Sequence, residues 1–159
     1  MSVDGKIAEK AEQSSLDWTS KEDLRFFIEK TKEAGVVIMG RKTFATIGKP
    51  LKDRKLVIMT SDPEKQESMD GVEYTSEAPE SIVHKLEADG FTSVVIGGGA
   101  GVYSQFLAAG LVTDLFLTIE PVLFGRGIPL AQDFDRMNLK IVETRMLNEQ
   151  SILLHYTIL

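Results

Sequence analysis

Apolar residues along this chain occur in short continuous runs that alternate with helical patterns. Two of the runs, Val36–Gly40 and Lys55–Ser61, have no polar alternation, which predicts strands buried on both faces, as in a parallel sheet. A helix is predicted over Ser20–Ala34, because apolar residues recur there at i, i+3, i+4 and i+7 and Gly35 follows as a stop. Further helices are predicted at Arg41–Ile47, Pro79–Asp89 and Ala100–Ala109, and further strands at Glu73–Thr75, Ser93–Ile96 and Asp114–Val122.

The two ends of the chain have different patterns. Residues 1–19 are polar and irregular, which predicts a long loop, and a second loop is predicted over Leu123–Pro129. Leu139–Leu147 and Ile152–Leu159 predict a closing antiparallel hairpin. Strands that alternate with helices favour an α/β sandwich with a mostly parallel sheet. We expect residues 1–159 to form a single domain of this kind.

Glycine, hydroxyl and cationic residues follow three of the predicted strands. Ligands of open α/β sheets lie beyond the carboxyl ends of the strands, and free N–H groups at helix N-termini attract anions. We therefore expect a phosphorylated cofactor or substrate at this edge of the sheet. The residues are Gly40, Arg41, Lys42 and Thr43 after the first strand, Thr60 and Ser61 after the next, and Gly97, Gly98 and Gly99 after a third. Neither the GxGxxG fingerprint nor the phosphate-binding GxxxxGK[ST] sequence is present, since Val102 stands where the third glycine would be.

A carboxylate lies in the first turn of the helix predicted over Ser20–Ala34. Asp23 comes one turn before Phe27, on the edge of the apolar face, where a partly buried acid is a candidate for proton transfer. Helix capping explains the same residues, because Ser20 with Asp23, or Thr19 with Glu22, fits a capping box. The residues alone leave both interpretations open and favour capping somewhat.

Composition limits the classes of partner. The net charge of −6, with acids spread along the chain, disfavours nucleic acid as the main partner. There are no cysteines, and the two histidines have no ligand-like spacing, so no metal site is expected. No apolar run approaches the roughly 20 residues that span a bilayer, and the start has no signal-peptide pattern. A cytoplasmic location without membrane contact is the expectation.

The segment GRKTFATIGKPL, followed by Arg54, resembles the cofactor-binding core of dihydrofolate reductase. The order of later motifs and the spacing from Trp18 to Asp23 and Phe27 are similar to that family as well. The segments Ser2–Ala8, Ala109–Asp114 and Pro121–Gly125 look more like the related reductase domain of riboflavin biosynthesis. The later motifs are Thr60-Ser61, Ile96-Gly97-Gly98-Gly99, Val102-Tyr103 and Phe116-Leu117-Thr118.

The resemblance implies a three-layer sandwich of the dihydrofolate reductase type, with helices on both faces of the sheet and an antiparallel hairpin at the C-terminus. It also implies NADPH as hydride donor and a reduced pterin as acceptor. The implied cofactor-binding residues are Gly40, Arg41, Lys42, Thr43, Thr60, Ser61, Ile96, Gly97, Gly98, Gly99 and Tyr103. The implied catalytic residues are Asp23, Thr118 and Trp18, and the substrate-binding residues are Asp23, Leu24, Phe27, Ile47, Leu51 and Arg54.

Two departures from the family pattern bear on function. Ala100 and Gly101 carry no cation where many reductases place an arginine for the extra phosphate of NADPH. The family also has a mid-sheet strand ahead of the segment that begins Met1-Ser2, and leaving it out opens a slot about 10 Å wide, given ~4.8 Å between strands. Either the start is trimmed, or Ser93–Ile96 pairs directly with Asp114–Val122, or another segment or chain fills the slot.

Three functions are compatible with these residues. The leading expectation is reduction of 7,8-dihydrofolate to tetrahydrofolate, with Arg54 holding the glutamate tail of the substrate. The second is reduction of 5-amino-6-(5-phosphoribosylamino)uracil in riboflavin biosynthesis, and the riboflavin-type resemblance also makes a homodimer plausible. The third is an inactive nucleotide-binding relic that lacks the first strand.

Overall fold

A computed structural model describes every residue of the chain, Met1–Leu159, as an α/β fold. The strands are β1 (Lys6–Ala8), β2 (Val36–Gly40), β3 (Lys55–Met59), β4 (Val72–Thr75), β5 (Val95–Ile96), β6 (Asp114–Ile119), β7 (Ile128–Pro129), β8 (Leu139–Met146) and β9 (Ile152–Ile158). The helices are α1 (Lys21–Ala34), α2 (Arg41–Ile47), α3 (Pro79–Ala88) and α4 (Ala100–Ala108), with 3-10 turns at Ser15–Asp17 and Pro63–Lys65.

The centre of the molecule is a four-stranded parallel sheet with strand order β4-β3-β2-β5. Val36–Met39 of β2 are 0% exposed, which confirms the prediction of a strand buried on both faces. Helices α3 and α4 cover one face, where Ile38 packs with Leu86 and Phe106. Helices α1 and α2 cover the other face, where Met39 packs with Phe44 and Phe27. Each fully buried aliphatic side chain stabilises the fold by roughly 1.5–3 kcal/mol, so these three layers hold the molecule together.

A second, antiparallel sheet with strand order β6-β9-β8 lies beside the first. The predicted C-terminal hairpin is confirmed as β8 and β9, and β6 pairs along the other edge of β9. Helix α1 packs on this sheet too, because the rings of Phe26 and Phe116 lie 5.6 Å apart between centroids. α1 therefore contacts both sheets and positions its N-terminus between them.

The facing edges of β5 and β6 are not paired with each other. β5 pairs only with β2, and β6 pairs only with β9. The alternative in which Ser93–Ile96 pairs directly with Asp114–Val122 is therefore wrong. At one end of the gap Met1 is hydrogen-bonded to the end of β6: its amino group donates to the Thr118 carbonyl, and the Glu120 N–H donates to the Met1 carbonyl (2.9 Å). The two sheets thus border an open cleft along most of the length of β6.

The prediction of long loops at residues 1–19 and 123–129 is wrong in part. β1 and β7 form a small antiparallel pair, and the 3-10 turn at Ser15–Asp17 follows β1. The strand predicted over Asp114–Val122 ends at Ile119, because the Val122 N–H turns back to donate to the Glu120 carbonyl at 2.8 Å. The other predicted elements are found with ends that differ by at most two residues, and Val36–Gly40 and Arg41–Ile47 have the predicted ends.

Candidate active site

The N-terminus of α1 is fixed by a buried carboxylate from the end of β6. Ser20 caps the helix, and its hydroxyl accepts a hydrogen bond from the Asp23 N–H at 3.2 Å. Glu120, which is 3% exposed, accepts from the Ser20 N–H and hydroxyl (both 2.8 Å) and from the Ser151 hydroxyl (2.5 Å). Ser20 is thus confirmed as the N-cap, but the reciprocal half of the predicted capping box is not formed, because the Ser20 N–H donates to Glu120 and not to the Asp23 carboxylate. Sequence reasoning missed Glu120, whose only signal was a lone acid just after an apolar strand.

Asp23 and Tyr103 lie near each other in the cleft. Burial raises the pKa of the Tyr103 phenol to about 12, and the negative charge of Asp23 adds to this rise. Because the pKa lies far above neutrality, the phenol keeps its proton and stays a hydrogen-bond donor at ordinary pH. Thr118 is buried close by, but no hydrogen bond joins it to Asp23, so its supporting role stays a prediction.

Trp18 borders the cleft and carries an unsatisfied buried donor. Its indole packs edge-on against Phe124, with ring centroids 4.9 Å apart, and its Nε1–H is buried without a hydrogen-bond partner. Buried N–H groups in folded proteins nearly always have a partner, so this one fits a site that takes a polar ligand atom or a water molecule. Trp18 lines the cleft together with Asp23.

The glycine run after β5 comes into direct contact with the end of β2. The Gly97 N–H donates to the Ile38 carbonyl (2.7 Å), and the Gly40 N–H donates to the Gly98 carbonyl (2.8 Å). Gly98 has a φ of +103°, which side chains rarely adopt, and a Cβ there would lie 3.2 Å from the Tyr103 hydroxyl. The Gly98–Gly99 peptide bond is cis. Because Gly40 and Gly97–Gly99 have no side chains, a ligand can approach the backbone at the ends of β2 and β5 closely.

Gly97→Ala is expected to lower the free energy of unfolding by about 1–3 kcal/mol, the usual cost of overpacking a core. A Cβ at Gly97 would lie 2.8 Å from Cγ1 of Val37, which is fully buried and cannot move aside. Urea unfolding measures the loss. Gly101→Ala is the matched control, since a Cβ there meets nothing within 4 Å, and alanine in place of glycine in helix α4 should raise stability by roughly 0.5–1 kcal/mol. Equal stability of the two variants would contradict the packing at Gly97.

Two helix N-termini open onto this glycine surface. Helices α2 and α4 begin after Gly40 and Gly99, and neither has a side-chain cap on its first N–H groups. Arg41 and Lys42 are exposed in the first turn of α2 and form no ion pair within the chain. Uncapped N–H groups, the helix dipole and two free cations suit a pyrophosphate. These residues fit a dinucleotide cofactor.

Arg54 is held in place on the other side of α2. Its Nη1 donates to the Thr31 hydroxyl (2.8 Å) and its Nε to the Lys52 carbonyl (3.0 Å), so the guanidinium is oriented before any ligand binds. Phe27, Ile47 and Leu51 pack against the buried side chains of Met39 and Phe44. They form an apolar wall of the cleft beside Arg54. The arrangement combines an apolar wall with one fixed cation.

Every residue that the sequence assigns to the site lines one cleft of about 1820 Å³. Its volume exceeds the ~300–1,000 Å³ of typical small-molecule pockets, because it takes in the whole open region between the two sheets, which 63 residues border. The individual roles of these site residues stay predictions. The residues brought together are Trp18, Asp23, Leu24, Phe27, Gly40, Arg41, Lys42, Thr43, Ile47, Leu51, Arg54, Thr60, Ser61, Ile96, Gly97, Gly98, Gly99, Tyr103 and Thr118.

An acid and a bare glycine surface on one cleft are what a nicotinamide-dependent oxidoreductase requires. The family model described as dihydrofolate reductase matches residues 9–126. The chain belongs to the dihydrofolate reductase family, whose members are NADPH-dependent oxidoreductases, and this confirms the expected class of enzyme and cofactor.

Relatives of known sequence include both characterised and uncharacterised proteins. The uncharacterized protein YwjB of Bacillus subtilis is 25% identical over 98% of this chain and 92% of its own length. The dihydrofolate reductase HdrB of Haloferax volcanii is 38% identical over 62% of this chain. Its match covers 54% of its own length, and that of the Staphylococcus aureus enzyme covers 60%, so the chain spans little more than half of these named reductases.

Solved structures confirm the fold. A putative riboflavin biosynthesis protein from Shewanella superposes with a TM-score of 0.82 at 20% identity, over 99% of this chain and 94% of that one. Dihydrofolate reductase from Enterococcus faecalis, complexed with NADP(H), superposes with a TM-score of 0.74 at 25% identity, over 99% of this chain and 91% of that one. No helix of the chain is both long enough and apolar enough to cross a membrane.

Proposed function

We propose that this chain reduces 7,8-dihydrofolate to tetrahydrofolate with NADPH. The observation that carries the proposal is the placement of Asp23 and Arg54 in the same cleft as the glycine surface of Gly97–Gly99. Hydride transfer requires donor and acceptor rings held face to face, and the acceptor nitrogen requires a proton. The cleft offers a backbone surface for one ring, an acid for the nitrogen and a cation for a distant carboxylate.

Each part of the chain has a distinct task in this proposal. NADPH, when bound, supplies the hydride that adds to the carbon of the substrate C=N bond. Asp23 accepts hydrogen bonds from the pterin ring and directs a proton to the neighbouring nitrogen, while the Trp18 Nε1–H holds a polar atom beside it. Leu24 and Phe27 exclude water from the reacting atoms, which strengthens the electrostatic effect of Asp23.

Arg54→Ala is expected to raise the KM for dihydrofolate by about 10- to 100-fold, the value of a charge-assisted hydrogen bond of roughly 1.5–3 kcal/mol. The Kd of NADPH should change little, because Arg54 lies on the wall formed by Phe27 and Leu51. Turnover is followed by the loss of nicotinamide absorbance, and cofactor binding by fluorescence quenching. The matched control is Lys52→Ala, which removes an exposed cation from the same turn. Equal losses of cofactor and substrate binding would contradict the assigned role of Arg54.

Reduction of 5-amino-6-(5-phosphoribosylamino)uracil is the second candidate, and one contact favours it. The segments that resemble the riboflavin-type reductase meet in space: the Asp4 carboxylate accepts from the N–H groups of Phe124 (3.1 Å) and Gly125 (2.8 Å). A hydrogen bond from Ser2, together with these two, lowers the pKa of Asp4 to about 2. Supplying each substrate with NADPH separates the two activities, and quenching without turnover on either would favour a binding protein without catalysis.

A further inference from the structure

We propose that Glu77 sets the choice of cofactor in this cleft, and that the chain accepts NADH nearly as well as NADPH. The two cofactors differ only by a phosphate on the 2′-oxygen of the adenosine ribose. The choice between them therefore depends on the charges that face this ribose. It is independent of which substrate is reduced.

The strand order indicates which end of the cleft takes the adenosine. Asp23 lies near Tyr103, whose hydroxyl is 3.2 Å from the position of a Cβ at Gly98, so the acid and the reacting ring belong at the end of β5. From there the sheet continues through β2 and β3 to β4. Three strand spacings of ~4.8 Å make this path about 14 Å long, which an extended dinucleotide can span. The adenosine therefore lies over the ends of β3 and β4.

The residues at the adenosine end are polar, and none of them is a cation. Thr60 and Ser61 follow β3, Ser76 and Glu77 follow β4, and all of them line the cleft. The Glu77 N–H donates to the Thr75 hydroxyl at 3.1 Å, and the Thr60 N–H donates to the Thr75 carbonyl at 2.9 Å. These bonds hold the backbone of Glu77 against the end of β3. The charge at this end of the cleft is therefore negative.

The nearby cations have other partners. Arg41 and Lys42 follow β2, midway along the path, where they match the two charges of the pyrophosphate. Lys65, in the turn after β3, pairs with Asp62 at 2.8 Å. Glu77 forms no ion pair. Its carboxylate therefore keeps its charge at the ribose.

The surrounding helices add no cation for a 2′-phosphate. Ala100 and Gly101 begin α4 without charge, and Lys85 on α3 is bound to Glu73 and lies outside the cleft. A carboxylate accepts hydrogen bonds from the ribose hydroxyls of NADH, whereas it repels a phosphate. Glu77 therefore strengthens the binding of NADH and weakens that of NADPH, which brings the two affinities close together.

The dissociation constants of the two cofactors, measured by titration calorimetry without any substrate, test this role. The wild-type values should differ by less than about tenfold. Glu77→Gln should lower the Kd of NADPH about three- to tenfold, because the repulsion is removed, and Glu77→Lys should lower it further. The Kd of NADH should stay the same or rise.

Glu80→Gln is the matched control. Glu80 is an exposed acid in the first turn of α3, so it shares the dipole of that helix with Glu77 but does not line the cleft. The ratio of the two Kd values should therefore stay at its wild-type value. Thermal unfolding confirms that all three variants are folded.

Salt gives an independent readout. Salt weakens the binding of the pyrophosphate equally for both cofactors, so the ratio of the two Kd values isolates the effect at the ribose. Higher salt should shift this ratio towards NADPH in the wild type, because it screens the repulsion by Glu77, and towards NADH in Glu77→Lys.

A wild-type preference for NADPH of about 100-fold or more would overturn the proposal. A Kd ratio in Glu77→Gln equal to that in Glu80→Gln would overturn it equally, and so would a chain that binds neither cofactor. Binding of both cofactors without turnover of dihydrofolate would contradict only the proposed function.

Discussion

Asp23→Asn is expected to lower turnover by roughly 10²- to 10⁴-fold, the usual contribution of a positioned acid or base, with little change in the Kd of NADPH. The amide has the shape of the carboxyl group but neither its charge nor its ability to transfer a proton. The N–H of residue 23 still donates to Ser20, so the start of α1 stays in place. Stopped-flow absorbance under single-turnover conditions separates the chemical step from binding and release.

Glu22→Gln is the matched control for this change. Glu22 lies beside Asp23 on the same turn, but its carboxylate accepts a hydrogen bond from the Asn148 amide (3.2 Å) and does not line the cleft. Loss of this charge should leave turnover within a few-fold of the wild type. If Asp23→Asn turned over as fast as Glu22→Gln, Asp23 would be a residue of the helix start and not an acid of the active site.

Glu120→Ala is expected to lower the free energy of unfolding by about 3 kcal/mol or more. The change leaves three donors without a partner, two from Ser20 and one from Ser151, and an unpaired buried donor costs about 1–3 kcal/mol. Turnover should fall as well, because Ser20 begins the helix that carries Asp23. Urea unfolding and steady-state rates measure the two effects.

Glu120→Gln should recover most of the lost stability, since its amide retains an acceptor for Ser20 and the Ser151 hydroxyl can turn to accept. Glu149→Ala is the second control, because Glu149 is an exposed acid on the same small cavity of about 530 Å³. If Glu120→Ala cost no more than Glu149→Ala, Glu120 would have no part in holding the start of α1.

The parts of the fold that depend on local pattern could be predicted from the sequence. Continuous apolar runs predict β2 and β3, because strands of a parallel sheet are covered on both faces. Ser20 and Gly35 predict the ends of α1, since capping and left-handed glycine act within a single turn. The glycine run at Gly97–Gly99 also predicts a ligand surface, because the absence of side chains can be read directly from the sequence.

The features that were missed depend on partners distant in the chain. β1 and β7 have three and two residues, too few to show periodicity, and they exist because their backbones meet. Glu120 is one acid among many until folding places Ser20 and Ser151 around it. Arg54 could be assigned to the site by resemblance, but its fixed orientation depends on Thr31, which lies 23 positions away.

The open gap between β5 and β6 has a consequence for cooperativity. No backbone hydrogen bond joins a strand of the parallel sheet to a strand of the antiparallel one, so side-chain packing, much of it through α1, connects the two halves. Units joined in this way can unfold separately, at a free energy lower than that of global unfolding. A ligand that contacts both sides binds only when the halves are together, and it stabilises that state by about 2.7 kcal/mol at ~100 times its Kd. Occupancy of the cleft therefore makes the two sheets unfold as one unit.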